Sequence, residues 1–254
     1  MSSLSPSVLA ERGSVRAVFA GPIRLLHSAR VPAGPVTAWR SAILKSAQLH
    51  AIMVGPLGLH GDAQKEKKHH GGPMKAVLVY GAAHYEQWNM SLAPHAVAHA
   101  AALRQMSPDI DASRYGFGAF GENLTVDGLT EANVCLGDSW AIGDCVLQIS
   151  EPRGPCATLT RRWMRPQLLG DVKRNAASGW YNAVLQPGVV AAGDEARLVE
   201  RVQQAWTMER VFHLLERRVA SRADLTALHD APCTHDALRA RLARRLATPG
   251  RCTN

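Results

Sequence analysis

The chain carries five cysteines, and Cys156 sits in a setting unlike the other four. It closes the segment Pro152-Arg153-Gly154-Pro155-Cys156. The two prolines stiffen this stretch, so the thiol is presented with little conformational freedom. A guanidinium at Arg153 favours thiolate over thiol and can also grip a phosphate. A thiolate is a soft ligand, suited to a metal centre of mixed sulfur and oxygen ligation. Cys135 and Cys145 fall in apolar strand-like stretches, where cysteine acts as a small hydrophobe. Cys233 and Cys252 belong to a helical tail. The odd number and the lack of any CxxC spacing point away from a disulfide framework and a structural zinc site.

Two further clusters have chemical potential. His69-His70-Gly71-Gly72-Pro73 follows Gly58-Leu59-His60-Gly61-Asp62 and the basic Lys65, Lys67 and Lys68. Paired glycines let backbone N–H groups approach an anion, and a neighbouring imidazole can donate to a phosphate or a heterocycle edge. A plain surface turn has the same composition. Two adjacent histidines point apart, which disfavours a metal site there. The second cluster, Phe120-Gly121-Glu122-Asn123-Leu124, offers both acceptors and donors, and reads equally as a turn into a strand.

These residues need elements to hold them. From Ser14 to Ile23, Val15, Ala17 and Phe19 alternate with Arg16, Val18 and Ala20 at strand period. Pro22, Pro32, Gly34 and Pro35 predict a loop, and Ala76–Tyr80 a buried strand. His84–Trp88 and Pro94–Met106 read as helices. Ser139–Ile142 and Cys145–Ile149 flank Gly143-Asp144, a two-residue hairpin loop. Recurrent turn signals up to Val202 predict a mainly β barrel or sandwich. After Gln203 the period becomes helical. Val211, Leu214, Leu215 and Val219 form one stripe, and Ser221-x-x-Asp224 is a capping-box variant opening the next helix. Leu238, Leu242 and Leu246 form a third stripe, stopped by Pro249-Gly250. The expected division is a flexible N-terminus over 1–13, a barrel over 14–202 and a three-helix unit over 203–254.

Lys plus Arg exceed Asp plus Glu by 29 to 21, a formal charge of +8 that favours anionic partners. Eleven arginines and no lysine lie between 197 and 251, so much of the excess sits on the tail helices as a solvated face. That argues against stable nucleic-acid binding. No stretch approaches the roughly 20 apolar residues of a membrane span, and the N-terminus lacks a signal-like apolar run. A soluble, cytoplasmic protein is the expectation.

The motifs GLxGD, HHGG, GENL, TExNVxxGD, PRxPC, GWY, PG and GD occur in that order. This series resembles the MOSC-domain proteins, named for the C-terminal domain of molybdenum cofactor sulfurases. It is most similar to the stand-alone subgroup conferring resistance to 6-N-hydroxylaminopurine. The resemblance runs from about Ala42 to Val202, with the three-helix tail matching that subgroup's appendage. It implies a MOSC β-barrel with a few helices and a molybdenum cofactor of molybdopterin type in a cleft. Cys156 matches the proposed molybdenum ligand. His70, Gly71 and Gly72 match a turn near the pterin, as do Glu122 and Asn123, and Lys45 matches a first-strand lysine. Arg153 is the expected anion grip beside them. The implied activity is two-electron reduction of N-hydroxylated bases and related N-oxygenated compounds. A separate flavoprotein or ferredoxin-type donor is expected, because no dinucleotide fingerprint or ferredoxin-type cysteine spacing is present. The alternative is a cofactor or sulfur carrier with a persulfide on Cys156. Two departures are Glu66 in place of the subgroup's usual Asp and a long insertion from Asn89 to Gly118.

Overall fold

Short β-rich runs separated by turns close on themselves when each strand finds a partner on both edges. A computed structural model describes residues 9–28, 34–92, 114–217, 220–248, 250 and 252–253 of this chain. The helix expected over Pro94–Met106, most of the 89–118 insertion and the first eight residues of the expected N-terminal tail lie outside those residues. Seven strands form the barrel: β1 (Arg12–Ala20), β2 (Val77–Gly81), β3 (Leu124–Asp127), β4 (Ser139–Ile142), β5 (Cys145–Pro152), β6 (Trp180–Gln186) and β7 (Glu195–Glu200). Their order is β7-β4-β5-β6-β2-β3-β1, and β1 pairs back onto β7 with Arg12 opposite Arg197. The mainly β barrel is therefore as expected.

The β4–β5 hairpin turns at Gly143-Asp144, with Ile142 opposite Cys145 and Gly143 at φ 56°. The β1 alternation does not hold as read. A register shift between Val15 and Ala17 breaks the period, so Val15, Val18 and Ala20 all enter the barrel core. Within the barrel, β2 and β3 are the one parallel pair among the described residues, which requires a crossover. Helix α1 (His84–Leu92) begins it, extending the helix expected at His84–Trp88.

The loop expected around Pro22–Pro35 needs correction. Arg24–Ser28 and Thr37–Ser41 pair antiparallel, with Leu26 opposite Trp39, and the prolines fall outside the paired residues. Proline removes a ladder donor only where it sits within a strand. Helices α2 (Ala157–Trp163) and α3 (Leu168–Asn175) follow Cys156 directly, and the sequence reading did not anticipate them. They pack on Tyr80, Tyr85, Trp88, Tyr115 and Phe120, a second core outside the barrel. Tyr80 and Phe120 stack with centroids 4.7 Å apart.

The tail forms α4 (Met208–Glu216), α5 (Arg222–Asp230) and α6 (Asp236–Ala247). Thr207 caps α4, and Ser221 accepts from the Asp224 N–H as its spacing predicted. Val211, Leu225, Leu228 and Leu242 join the barrel's Leu136 and Trp140 in one continuous core. Several tail arginines are committed internally. Arg210 pairs with Asp224 at 3.0 Å, Arg241 with Glu216 at 3.4 Å, and Arg239 donates to the Thr234 carbonyl at 2.8 Å. Among the described residues, no helix is long and apolar enough to cross a membrane.

Candidate functional site

The β5 strand delivers Arg153 and Cys156 to one end of the barrel. Past Pro152, the Arg153 N–H still donates to the Gly179 carbonyl at 3.0 Å, and Ser178 Oγ donates to the Arg153 carbonyl at 2.5 Å. The Ser178-Gly179 turn is itself clamped. Glu131, 2% exposed, accepts from the Ser178 and Gly179 N–H groups at 2.9 and 2.6 Å and contacts His84 Nε2 at 2.5 Å. Gly179 takes φ 78°, and a Cβ there would lie 2.5 Å from the Val79 carbonyl, so only glycine suits the turn. The chain then leaves the sheet, and Cys156 becomes the residue before α2.

Burial resists ionisation of the Cys156 thiol. Hydrogen bonds from His70 and Thr158 and the charge of Arg153 outweigh it and bring the thiol from 9.0 down to about 6. Burial leaves Cys135 and Cys145 at about 11. Thiolate is the nucleophile in alkylation, so these cysteines must differ in rate. In the protein freed of any thiol-bound group, iodoacetamide labelling of Cys156 should rise with pH around 6 and then level off. Cys135 and Cys145 should stay unlabelled at neutral pH. His70→Ala should move the Cys156 midpoint upward, as followed by peptide mass spectrometry; an unmoved midpoint contradicts this picture.

His70 ends a helical turn, Lys67–His70, and its Nδ1 lies 2.9 Å from the Tyr181 hydroxyl. Lys75 Nζ is 5.6 Å from the Tyr181 ring centre and 3.2 Å from a Glu151 carboxylate oxygen. Gly71 and Gly72 do not line the cavity. Gly71 is extended, and Gly72 at φ 92° turns the chain into the Pro73–Lys75 helical turn.

Arg153 is 4% exposed, and its Nε and Nη1 find no acceptor among the described residues. A buried cation with open N–H groups is unfavourable unless something accepts from it. A cavity of about 380 Å³ lies against it, lined also by Cys156, His70, Tyr181, Lys75 and Asn123. Phe120, Leu78 and Ile43 supply apolar wall, and Lys45, Arg161 and Asp62 supply charge.

Lys45 lies between the Thr37–Ser41 and Ser46–Ala47 strands, not in the first strand as expected. Its ammonium pairs with Asp62, and the two side chains are 6% and 1% exposed. Burial holds Lys45 below its ordinary value despite the opposing pull of Asp62. Asn123 reaches the cavity, but its amide is spent on the protein. It accepts from the Leu78 N–H at 3.0 Å and donates to Asp62 at 3.0 Å and to the Phe19 carbonyl at 3.1 Å. Asn123 thus orients Asp62.

Glu122 does not reach the cavity, contrary to expectation. It is 0% exposed and accepts from Tyr85, from the Gly118 and Phe120 N–H groups at 2.7 and 3.1 Å, and from Thr125 Oγ1 at 2.9 Å. Its carboxylate ties together the turn before β3. Asp62 and Tyr181 stand in the GLxGD and GWY motifs, whose spacing alone assigns them no role. Lys75, Trp39, Thr158 and Arg161 carried no motif signal, and only the fold brings them together.

The MOSC domain family matches residues 66–197, a span that holds His70, Arg153, Cys156 and Tyr181 and begins after Trp39, Lys45 and Asp62. Protein YiiM of Escherichia coli (strain K12) is 36% identical over 169 residues, covering 66% of this chain and 68% of that protein. A protein named Reductase from Gibberella moniliformis is 32% identical over 195 residues, which is 76% of this chain and 32% of that much longer protein. The crystal structure of YiiM from Geobacillus stearothermophilus superposes with a TM-score of 0.70 at 26% identity, covering 92% of this chain and 100% of the other. The shared barrel and a family match spanning the thiolate and its arginine place this chain in the MOSC domain family.

Proposed function

We propose that this chain is a molybdenum-cofactor-dependent oxidoreductase that reduces N-hydroxylated bases and related N-oxygenated compounds to amines. The observation that carries the reading is Arg153, a buried guanidinium with two open N–H groups beside a thiol held near 6. That pairing suits a ligand with both a soft metal and anionic oxygen, as a molybdenum–pterin phosphate has. Cys156 would be the metal ligand, with Arg153 and Lys45 holding the anionic parts and His70 hydrogen-bonded to the Cys156 sulfur. Asn123 supports Lys45 through Asp62, and Glu122 fixes the turn behind them. When bound, the cofactor supplies two-electron chemistry at an N–O bond.

The balance is R–NHOH plus two protons and two electrons giving R–NH2 and water. His70 is engaged by the Tyr181 hydroxyl and the Cys156 thiol, so the protons for the departing oxygen come from water. Electrons come from a separate flavoprotein or ferredoxin-type donor. Ion pairs of Arg210 with Asp224 and Arg241 with Glu216 leave the tail a less cationic dock than its arginine count suggests.

The same thiolate would also suit a persulfide carrier, so the test must separate the two. Protein from a cofactor-competent host should oxidise two equivalents of a reduced one-electron viologen dye per amine formed from an N-hydroxylated purine. Protein from a cofactor-deficient host should be inactive. Equal activity from both hosts contradicts the reading, and dye-independent sulfur release to cyanide favours the carrier.

A further inference from the structure

One wall of the cavity has no part in the chemistry above. Trp39 lies midway along the Thr37–Ser41 strand and lines the cavity. Its indole N–H donates to Ser28 Oγ at 2.9 Å, which fixes the ring's orientation. The ring also packs against the second aromatic core. Arg161 lines the cavity as well, and its guanidinium carbon lies 4.6 Å from the Trp39 ring centre. Its Nη2 donates to Thr37 Oγ1 at 2.6 Å and to the Thr37 carbonyl at 3.0 Å. Edge contacts therefore hold both planar groups, and the guanidinium over the indole ring makes a preorganised cationic–aromatic layer.

Arg161 is five residues beyond Cys156 along α2, a rise of roughly 7.5 Å at helical spacing. Cys156, Trp39 and Arg161 line the same cavity, and the layer forms its hairpin side. Arg153, His70 and Tyr181 come instead from the barrel and the turns next to it.

We propose that the Trp39–Arg161 layer is the platform on which the planar part of the substrate stacks. It makes heteroaromatic N-hydroxylamines preferred over aliphatic ones. This rests on the reading that the cavity accepts N-hydroxylated compounds. A purine-like ring gains dispersion and cation–π attraction over such a layer, whereas an alkyl group has no π-face to offer. Base–aromatic stacking of the usual strength corresponds to about 5- to 150-fold in affinity.

The test uses the protein as purified, with Trp39→Ala, Trp39→Leu and Trp39→Phe variants. Leucine fills the space without a π-face, and phenylalanine restores one. KM and kcat are measured for an N-hydroxylated purine and for N-methylhydroxylamine. Adenine binding is measured by calorimetry, and metal and pterin content by elemental and fluorescence analysis. Trp39→Leu should raise KM for the purine about 5- to 150-fold more than for the aliphatic compound, with kcat little changed. Adenine binding should weaken by a similar factor, and Trp39→Phe should restore most of both. Equal effects on the two substrates, or loss of pterin from Trp39→Leu, would overturn the platform. If wild-type protein reduces neither compound yet binds adenine through Trp39, the platform stands and the reductase reading fails.

Discussion

Replacing Cys156 with alanine is expected to lower N-reduction by more than about 10²-fold while leaving the barrel folded. Substituting groups that merely support a metal ligand costs roughly 10–100-fold in affinity or activity, so loss of the ligand itself should exceed that range. The folding cost should be small for a structural reason. Cys156 precedes α2 yet its side chain makes no capping hydrogen bond, and it lies at the cavity surface rather than in either core. Cys156→Ser should fail equally, because a hydroxyl is not ionised by surroundings that bring a thiol to about 6. Steady-state kinetics and near-ultraviolet circular dichroism check the two halves. Activity within a few-fold of wild type would remove Cys156 from the chemistry.

The second large effect is on stability. Asp62→Ala should destabilise the fold by about 3–5 kcal/mol, as does removal of one partner from other buried ion pairs. It would strand the Lys45 ammonium, which burial already disfavours, and orphan the Gly21 N–H that Asp62 accepts at 3.0 Å. It would also free the Asn123 amide, which donates to Asp62 at 3.0 Å. In a chain of this size each kcal/mol shifts Tm by roughly 2–4 °C, so thermal unfolding should move down by about 10 °C. A Lys45→Met, Asp62→Leu double variant should recover much of the loss, because it buries no unpaired charge. If the double variant is as unstable as Asp62→Ala, the ion pair is not what holds this wall.

What the sequence disclosed follows from the range of its signals. The Gly143-Asp144 hairpin, the Ser221 cap and the Leu238–Leu242 stripe are local, and each formed where its spacing predicted. The β1 alternation failed because a bulge shifts the face by one residue and leaves no mark in a pattern of small and branched residues. The Arg24–Ser41 hairpin was hidden by prolines that bound it without interrupting its ladder. Helices α2 and α3 are 7 and 8 residues long, too few turns for a helical period to stand out in the sequence.

The site divides in the same way. Cys156 and Arg153 stand apart by their local setting, His70 is singled out only through the resemblance, and the three line one cavity. Their convergence depends on Glu131 clamping the Ser178-Gly179 turn, a contact across 47 residues. Glu122 was misplaced because a buried carboxylate tying a turn and an exposed one facing a ligand have the same local sequence. Trp39 and Arg161 are 122 residues apart and meet only in the folded chain.

The most direct test is the molybdenum and pterin content of protein purified from a cofactor-competent host, beside Cys156→Ala. The account predicts near-stoichiometric molybdenum and pterin in the wild type and loss of the metal from the variant, both proteins remaining folded. Folded wild-type protein without molybdenum, or equal molybdenum in both, would contradict it.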